Sequence, residues 1–185
     1  MLCYGAQQLA SSFRTVRSNT IQVAHDIPEH KYDHLPAEGA RTVRHMLTHV
    51  ALSPRLWIDM HAGGSTDITT FDFVSYGRRM RDAEAVGHTK AEILDLLSKE
   101  GEAFAVFLGG LSDAQLSEQV LGNSANGKVH KSRLEMLLGA KEHEMHHRAQ
   151  LMLIERQLGV IPHLTRQMNA RMEQMAAAAA AKTTA

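Results

Sequence analysis

The sequence predicts an all-α protein, a bundle of four long helices with one additional helix at the C-terminus. Three observations predict it. Apolar residues return at steps of three, four and seven along the long segments, which is the spacing of one helical face. These segments are bracketed by helix signals, with Thr89/Glu92 and Ser132/Glu135 as capping boxes and Gly63–Gly64 and Gly109–Gly110 as stops. No stretch shows the two-residue alternation flanked by hairpin turns that marks a strand.

The first helix is predicted over Leu2 to Ile27, where Leu9, Phe13, Val16, Val23 and Ile27 form one face and Pro28 stops the chain. "PEHKYDHLPAEGAR" reads as a connection. Thr42 offers the N-cap of the second helix, whose stripe is Val43, Met46, Leu47 and Val50. Pro54 kinks that helix, because Leu56, Trp57 and Met60 continue the spacing up to His61. Residues 65 to 88 have no clean period and read as loop with a short helix. Behind the Thr89 cap, Ile93, Leu96, Leu97, Phe104, Phe107 and Leu108 predict the third long helix. "LSDAQLSEQVLGNSANGKVHKS" reads as a connection with one helical turn after Ser112 and a turn at "NSANG". The fourth helix opens at Ser132 and ends at Gly159, with Pro162 beyond. In the tail, Leu164, Met168, Met172 and Met175 predict a helix that frays in the alanine run, the methionines serving core packing or dimer contact.

A chain of 185 residues suits one domain, divided into a helical bundle over 1–165 and a tail over 166–185. Lys plus Arg and Asp plus Glu both number 20, and no block of like charge appears, so neither nucleic acid nor an anionic membrane is an expected partner. A single cysteine, Cys3, excludes an internal disulfide framework and reads as an inert thiol. With no signal-peptide pattern and no long uncharged apolar run, a cytoplasmic location is expected. Histidine is the outlying count, at 12 against nine aromatic residues (five Phe, three Tyr, one Trp).

Position decides which histidines matter. In "KEHEMHHRAQ", His143, Glu144 and His147 spell H-E-x-x-H, the pattern of many zinc peptidases. Positions i and i+4 share a helix face, so both imidazoles can meet one ion, while Glu144 and His146 are rotated aside by about 100° per residue. A peptidase needs a third ligand, and the metzincin extension fails because Gln150 and Leu153 occupy its glycine and last histidine positions. Nor is there a strand edge on which a peptide would dock. His49, at the edge of the second helix's apolar stripe in "RTVRHMLTHVA", can meet the His143/His147 pair across a bundle, and three histidines with an open position resemble catalytic zinc chemistry.

"RTVRHMLTHVALSPRLW" together with "HEMHHRAQLMLIERQLGVIP" resembles the DinB/YfiT-like superfamily, bacterial four-helix bundles in which three histidines hold a divalent metal. One family histidine lies in a phrase like L-x-H-[IVL]-A, here "LTHVA"; the other two lie in H-x-x-H-H-R-G-Q-L, here "HEMHHRAQL", with Ala149 in place of the glycine. The resemblance spans residues 2 to 162 and carries the ligand roles to His49, His143 and His147. It implies a DinB/YfiT-type bundle, a divalent ion (Zn or Ni first, with Mn or Fe also suited to imidazole ligands), a small-molecule substrate and a homodimer. It also implies a metal-dependent enzyme, a transferase using a low-molecular-weight thiol or, next, a hydrolase. A non-catalytic metal-binding dimeric bundle is the alternative of another class, with His45 as the residue that would close its site, and a peptidase stands third. Glu144, Arg148 and Gln150 are weak catalytic candidates, His146 reads as exposed or supporting, and His25, His30, His34, His61, His88, His130 and His163 read as solvated.

Overall fold

The computed structural model describes residues 4–183. Its elements are α1 (Ala6–Asp26), α2 (Val43–Leu52), α3 (Pro54–His61), α4 (Phe73–Glu84), α5 (Lys90–Gly109), α6 (Asp113–Ser117), β1 (Gln119–Ser124), β2 (Gly127–Ser132), α7 (Arg133–Gln157) and α8 (His163–Thr183), with a single 3₁₀ turn at Glu29–Lys31. The fold is an all-α bundle in which α1 packs along α5 and α7, and α2 packs on α5. Leu2 and Cys3 lie outside the described residues.

The expected stripes are the core. Val23, Ile27, Val43, Leu47, Val50, Ile93, Leu97, Leu151 and Ile154 form one buried cluster. Leu9, Phe13, Phe104, Leu108, Leu116 and Leu137 form a second, in which the Phe13 and Phe104 rings meet edge to face at 4.8 Å. Along α1, α5 and α7 alike, one cluster gives way to the other across a polar layer holding Arg17, Gly101 and Glu144. The Arg17 guanidinium donates to both Glu144 oxygens, to the Leu97 carbonyl at 2.8 Å and to the Val50 carbonyl at 3.1 Å. Pro54 explains the last bond. It has no N–H to give to the carbonyl four residues earlier, so Val50 O is left for Arg17. Gly101 explains the route: a Cβ there would stand 2.6 Å from Arg17 Cγ.

The caps form as the residue types dictate. Thr42 and Thr89 accept from the backbone N–H of His45 and Glu92, and Thr89 with Glu92 closes a full capping box. Ser132 caps Glu135 N, but the Glu135 carboxylate turns to Lys131 at 2.8 Å, so only half of the second box forms. At Pro54 the ladder breaks between two helices, with Ser53 still right-handed helical at φ −52°, ψ −37°.

Three expectations are corrected. The connection after α6 holds an antiparallel hairpin, paired from Gln119 with Ser132 to Ser124 with Gly127. It escapes the alternation test because Val120 and Gly122 alone are buried along β1, and β2 buries nothing fully. The hairpin also straps down the irregular 65–70 stretch, through Leu121 N to Thr66 O and Ile68 N to Leu121 O. Met168, Met172 and Met175 do not pack in the core; each is more than half exposed on α8, which stays helical through the alanines as their propensity favours. His61 and His163 are not solvated, at 2% and 3% exposure. Their polar partners, Arg133 for His61 and Asn19 for His163, come from other elements, where no local pattern could announce them. Among the described residues, no helix is long and apolar enough to cross a membrane.

Candidate metal centre

His49 lies in the last turn of α2, just before the Pro54 break, and His143 and His147 lie one turn apart in the middle of α7. The fold brings the three together. One ring nitrogen from each lies within 4.8 Å of the others, and among the described residues no other three His, Cys, Asp or Glu side chains do so. His49 Nε2 and His143 Nε2 are 3.1 Å apart. Two nitrogens on a tetrahedral ion with bonds of about 2.0–2.1 Å stand about 3.3 Å apart, so this pair already has the spacing of a shared ion.

Two of the outer nitrogens are held by side chains, while the third, His143 Nδ1, is buried without a hydrogen-bond partner. Glu84 on α4 lies 2.8 Å from His49 Nδ1, and Arg41 holds the other carboxylate oxygen at 2.9 Å. The carboxylate can only accept, so the His49 proton is on Nδ1 and the Nε2 lone pair faces its partners. Gln150 Oε1 stands 2.9 Å from His147 Nδ1 and assigns the same tautomer there. Burial disfavours a charged Glu84, but hydrogen bonds from His49 and Arg41 outweigh it and keep its pKa below the ordinary carboxylate value. Burial, with His147 and His49 adding to it, pushes His143 down to about 3. Burial also lowers His147, against the opposing bond to Gln150. Around neutral pH both α7 rings are therefore neutral, the form that binds a cation. A three-imidazole donor set of this spacing fits a divalent ion.

Glu144 points away from the triad and is buried at 2% exposure against Arg17. Gln150 orients His147. Arg148 reaches toward α1, with Nη1 3.4 Å from the Val16 carbonyl. His146 is exposed, and half-buried His45 is not part of the histidine cluster.

A cavity of about 420 Å³ opens onto His49 and His143, walled by Leu56, Trp57, Tyr76, Met80 and Glu84. The Trp57 and His143 rings lie 5.7 Å apart. Burial pushes the Tyr76 phenol up to about 12, so it keeps its proton, and the hydroxyl itself is buried without a hydrogen-bond partner. No local signal marked Arg41, Glu84 or Tyr76. They belong to the connection before α2 and to the aperiodic 65–88 stretch, and they reach the site only because α4 docks beside α2.

A family model described as the DinB family matches residues 2–178. The uncharacterised protein YjoA of Bacillus subtilis strain 168 is 24% identical over 155 residues, covering 83% of this chain and 91% of that protein. Among solved structures, YfiT from Bacillus subtilis, described as a probable metal-dependent hydrolase with an unusual four-helix bundle topology, superposes with TM-score 0.66 at 18% identity, covering 86% of this chain and 91% of YfiT. A mycothiol-dependent maleylpyruvate isomerase superposes with TM-score 0.63 at 15% identity, covering 82% of this chain and 63% of the isomerase. At these identities the structural likeness carries the fold.

Proposed function

The chain belongs to the DinB family, and on that premise we propose that it is a divalent-metal-dependent enzyme acting on a small molecule, as a thiol S-transferase or, second, a hydrolase. One observation carries this reading: imidazoles from two helices converge beside a 420 Å³ cavity, and among the described residues no fourth His, Cys, Asp or Glu joins their cluster. His49, His143 and His147 would hold the ion, Zn²⁺ or Ni²⁺ first. When bound, such an ion lowers the pKa of a coordinated thiol or water and so supplies a nucleophile at neutral pH. Glu84 and Gln150 orient two of the rings, and Trp57 and Leu56 wall the cavity in which the substrate would lie. The similarity to a mycothiol-dependent isomerase supports the thiol reading, and that to YfiT supports hydrolysis. We place the enzyme in the reducing cytoplasm, as a homodimer.

Two features weigh against the other readings. The peptidase reading needs Glu144 beside the ion, whereas Glu144 is committed to Arg17. The purely structural site needs a closing ligand, and His45 does not join the cluster.

The test is elemental analysis of untagged protein purified without chelators or a nickel column, alongside conjugation of 1-chloro-2,4-dinitrobenzene to a low-molecular-weight thiol. Near-stoichiometric metal and thiol-dependent turnover are expected in the wild type, and both should be lost in His49→Ala. Metal retained by His49→Ala overturns the ligand set; metal without thiol-dependent turnover sinks the transferase reading. Glu84→Gln keeps the shape but loses the charge that orients His49, and is expected to weaken metal binding by about 10–100-fold in competition with a chromophoric chelator.

A further inference from the structure

A second cavity, of about 390 Å³, lies between α3, the hairpin and α7, and shares Trp57 as a wall with the triad cavity. Its lining is mainly apolar, from Met60, Ile68, Phe73, Val129 and Met136. Its charged lining residues are Lys131, Glu135 and Glu142, and Lys131 is already paired with Glu135 at 2.8 Å. The remaining acidic charge disfavours an anionic occupant.

One buried polar group in this wall is unsatisfied. His61 lines the cavity at 2% exposure, and its Nδ1 lies 2.9 Å from Arg133 Nη1. A guanidinium can only donate, so Nδ1 is the accepting nitrogen. Burial, with the Arg133 charge adding to it, pushes His61 down to about 4, so the ring is neutral and its proton sits on Nε2. That Nε2–H is buried and has no hydrogen-bond partner. The ring cannot easily turn to find one, because Arg133, at 1% exposure, is itself fixed by Glu118 at 2.6 Å and the Ser65 carbonyl at 3.1 Å. A buried donor left unpaired is costly, and an acceptor brought in by a ligand removes the cost.

We infer that this groove is a subsite for an uncharged apolar arm of the substrate, an aryl or alkyl group bearing an acceptor such as a carbonyl oxygen, which reaches past Trp57 while the reacting end lies at the triad. The inference deepens the metal-enzyme reading and rests on it for the reacting end alone. Occupancy of the groove is independent of metal.

Gly122 supplies the discriminating variant. A Cβ there would stand 3.1 Å from the flexible tip of Met136 and 3.7 Å from Ile68, so Gly122→Leu fills the groove from the hairpin side. The first measurement uses full-length protein carrying ¹³C-methyl methionine, titrated with 4-phenylbutan-2-one without metal. Shifts at Met60 and Met136, absent in Gly122→Leu, are expected; shifts confined to Met80 in the triad cavity, or unchanged by Gly122→Leu, overturn the subsite. The second uses zinc-loaded protein and compares acetohydroxamate with 4-phenylbutanohydroxamate by calorimetry. The phenyl arm is expected to tighten binding about tenfold or more in the wild type, with that gain lost in Gly122→Leu while acetohydroxamate binds as before. A keto group in the arm should add about fivefold, lost in His61→Phe. Failure of acetohydroxamate to bind refutes the metal reading and leaves the methyl shifts to decide the groove; an arm that brings no gain over acetohydroxamate refutes the link between the two cavities.

Discussion

Arg17→Met is expected to destabilise the protein by about 3–5 kcal/mol in urea unfolding, because it leaves a carboxylate buried with no counter-charge. The two side chains are 4% and 3% exposed, and their contact is bidentate, with Nε and Nη2 on the two Glu144 oxygens. Solvent therefore cannot take over when the guanidinium is removed. The double variant Arg17→Met/Glu144→Met should recover most of the loss, since a buried ion pair and an apolar pair of similar volume are often close in stability. A double variant no better than Arg17→Met alone would show that the bonds to the Val50 and Leu97 carbonyls, not the charge pair, are what matter. Arg17 also ties α2 and α7 together at Val50 and Glu144, each one residue from a candidate ligand. Metal affinity should therefore fall in Arg17→Met even under conditions where it remains folded. Glu144→Gln, the substitution that would abolish a peptidase's chemistry, is expected here to act through stability.

Glu155→Gln is expected to stabilise the protein above pH 7 by a few kcal/mol, with the advantage vanishing near pH 4. Glu155 is fully buried on α7 and neither carboxylate oxygen has a hydrogen-bond partner. Burial, with Asp26 adding to it, raises its pKa from 4.5 to about 7, against the pull of Arg166 and Arg156. The sign follows from which form the fold prefers. Below the unfolded pKa the group is protonated in both states and adds no pH-dependent cost; as pH rises toward 7 the unfolded chain ionises more readily, and stability is lost. Above 7 the loss is complete and constant. Unfolding free energies of the two proteins from pH 4 to pH 8 should diverge over this window. Parallel curves would mean that Glu155 ionises normally in the folded state.

The helices and the candidate ligand pair were legible because they are encoded over one or two turns. Thr42 and Thr89 cap the backbone beside them, the Val43, Met46, Leu47 and Val50 stripe is buried as its spacing requires, and His143 and His147 share a face because they are four residues apart. Glu84 stands 35 residues from His49 and meets it through the docking of α4, a segment without a clean apolar period. The hairpin was hidden for a related reason, since strands with so little buried surface carry no alternation to read.

By itself, then, the sequence determined an all-α bundle, the order of its long helices, the i, i+4 histidine pair on α7 and, through the family phrases, the place of His49. The tertiary structure alone decided which nitrogens face one another, that Glu84 holds the outer nitrogen of His49, that Glu144 belongs to Arg17, and that Trp57 is common to two cavities. The physical reason is range. Helix periods and caps are satisfied within a few residues, whereas a buried charge or an unpaired ring nitrogen takes its partner from whatever element packing brings against it.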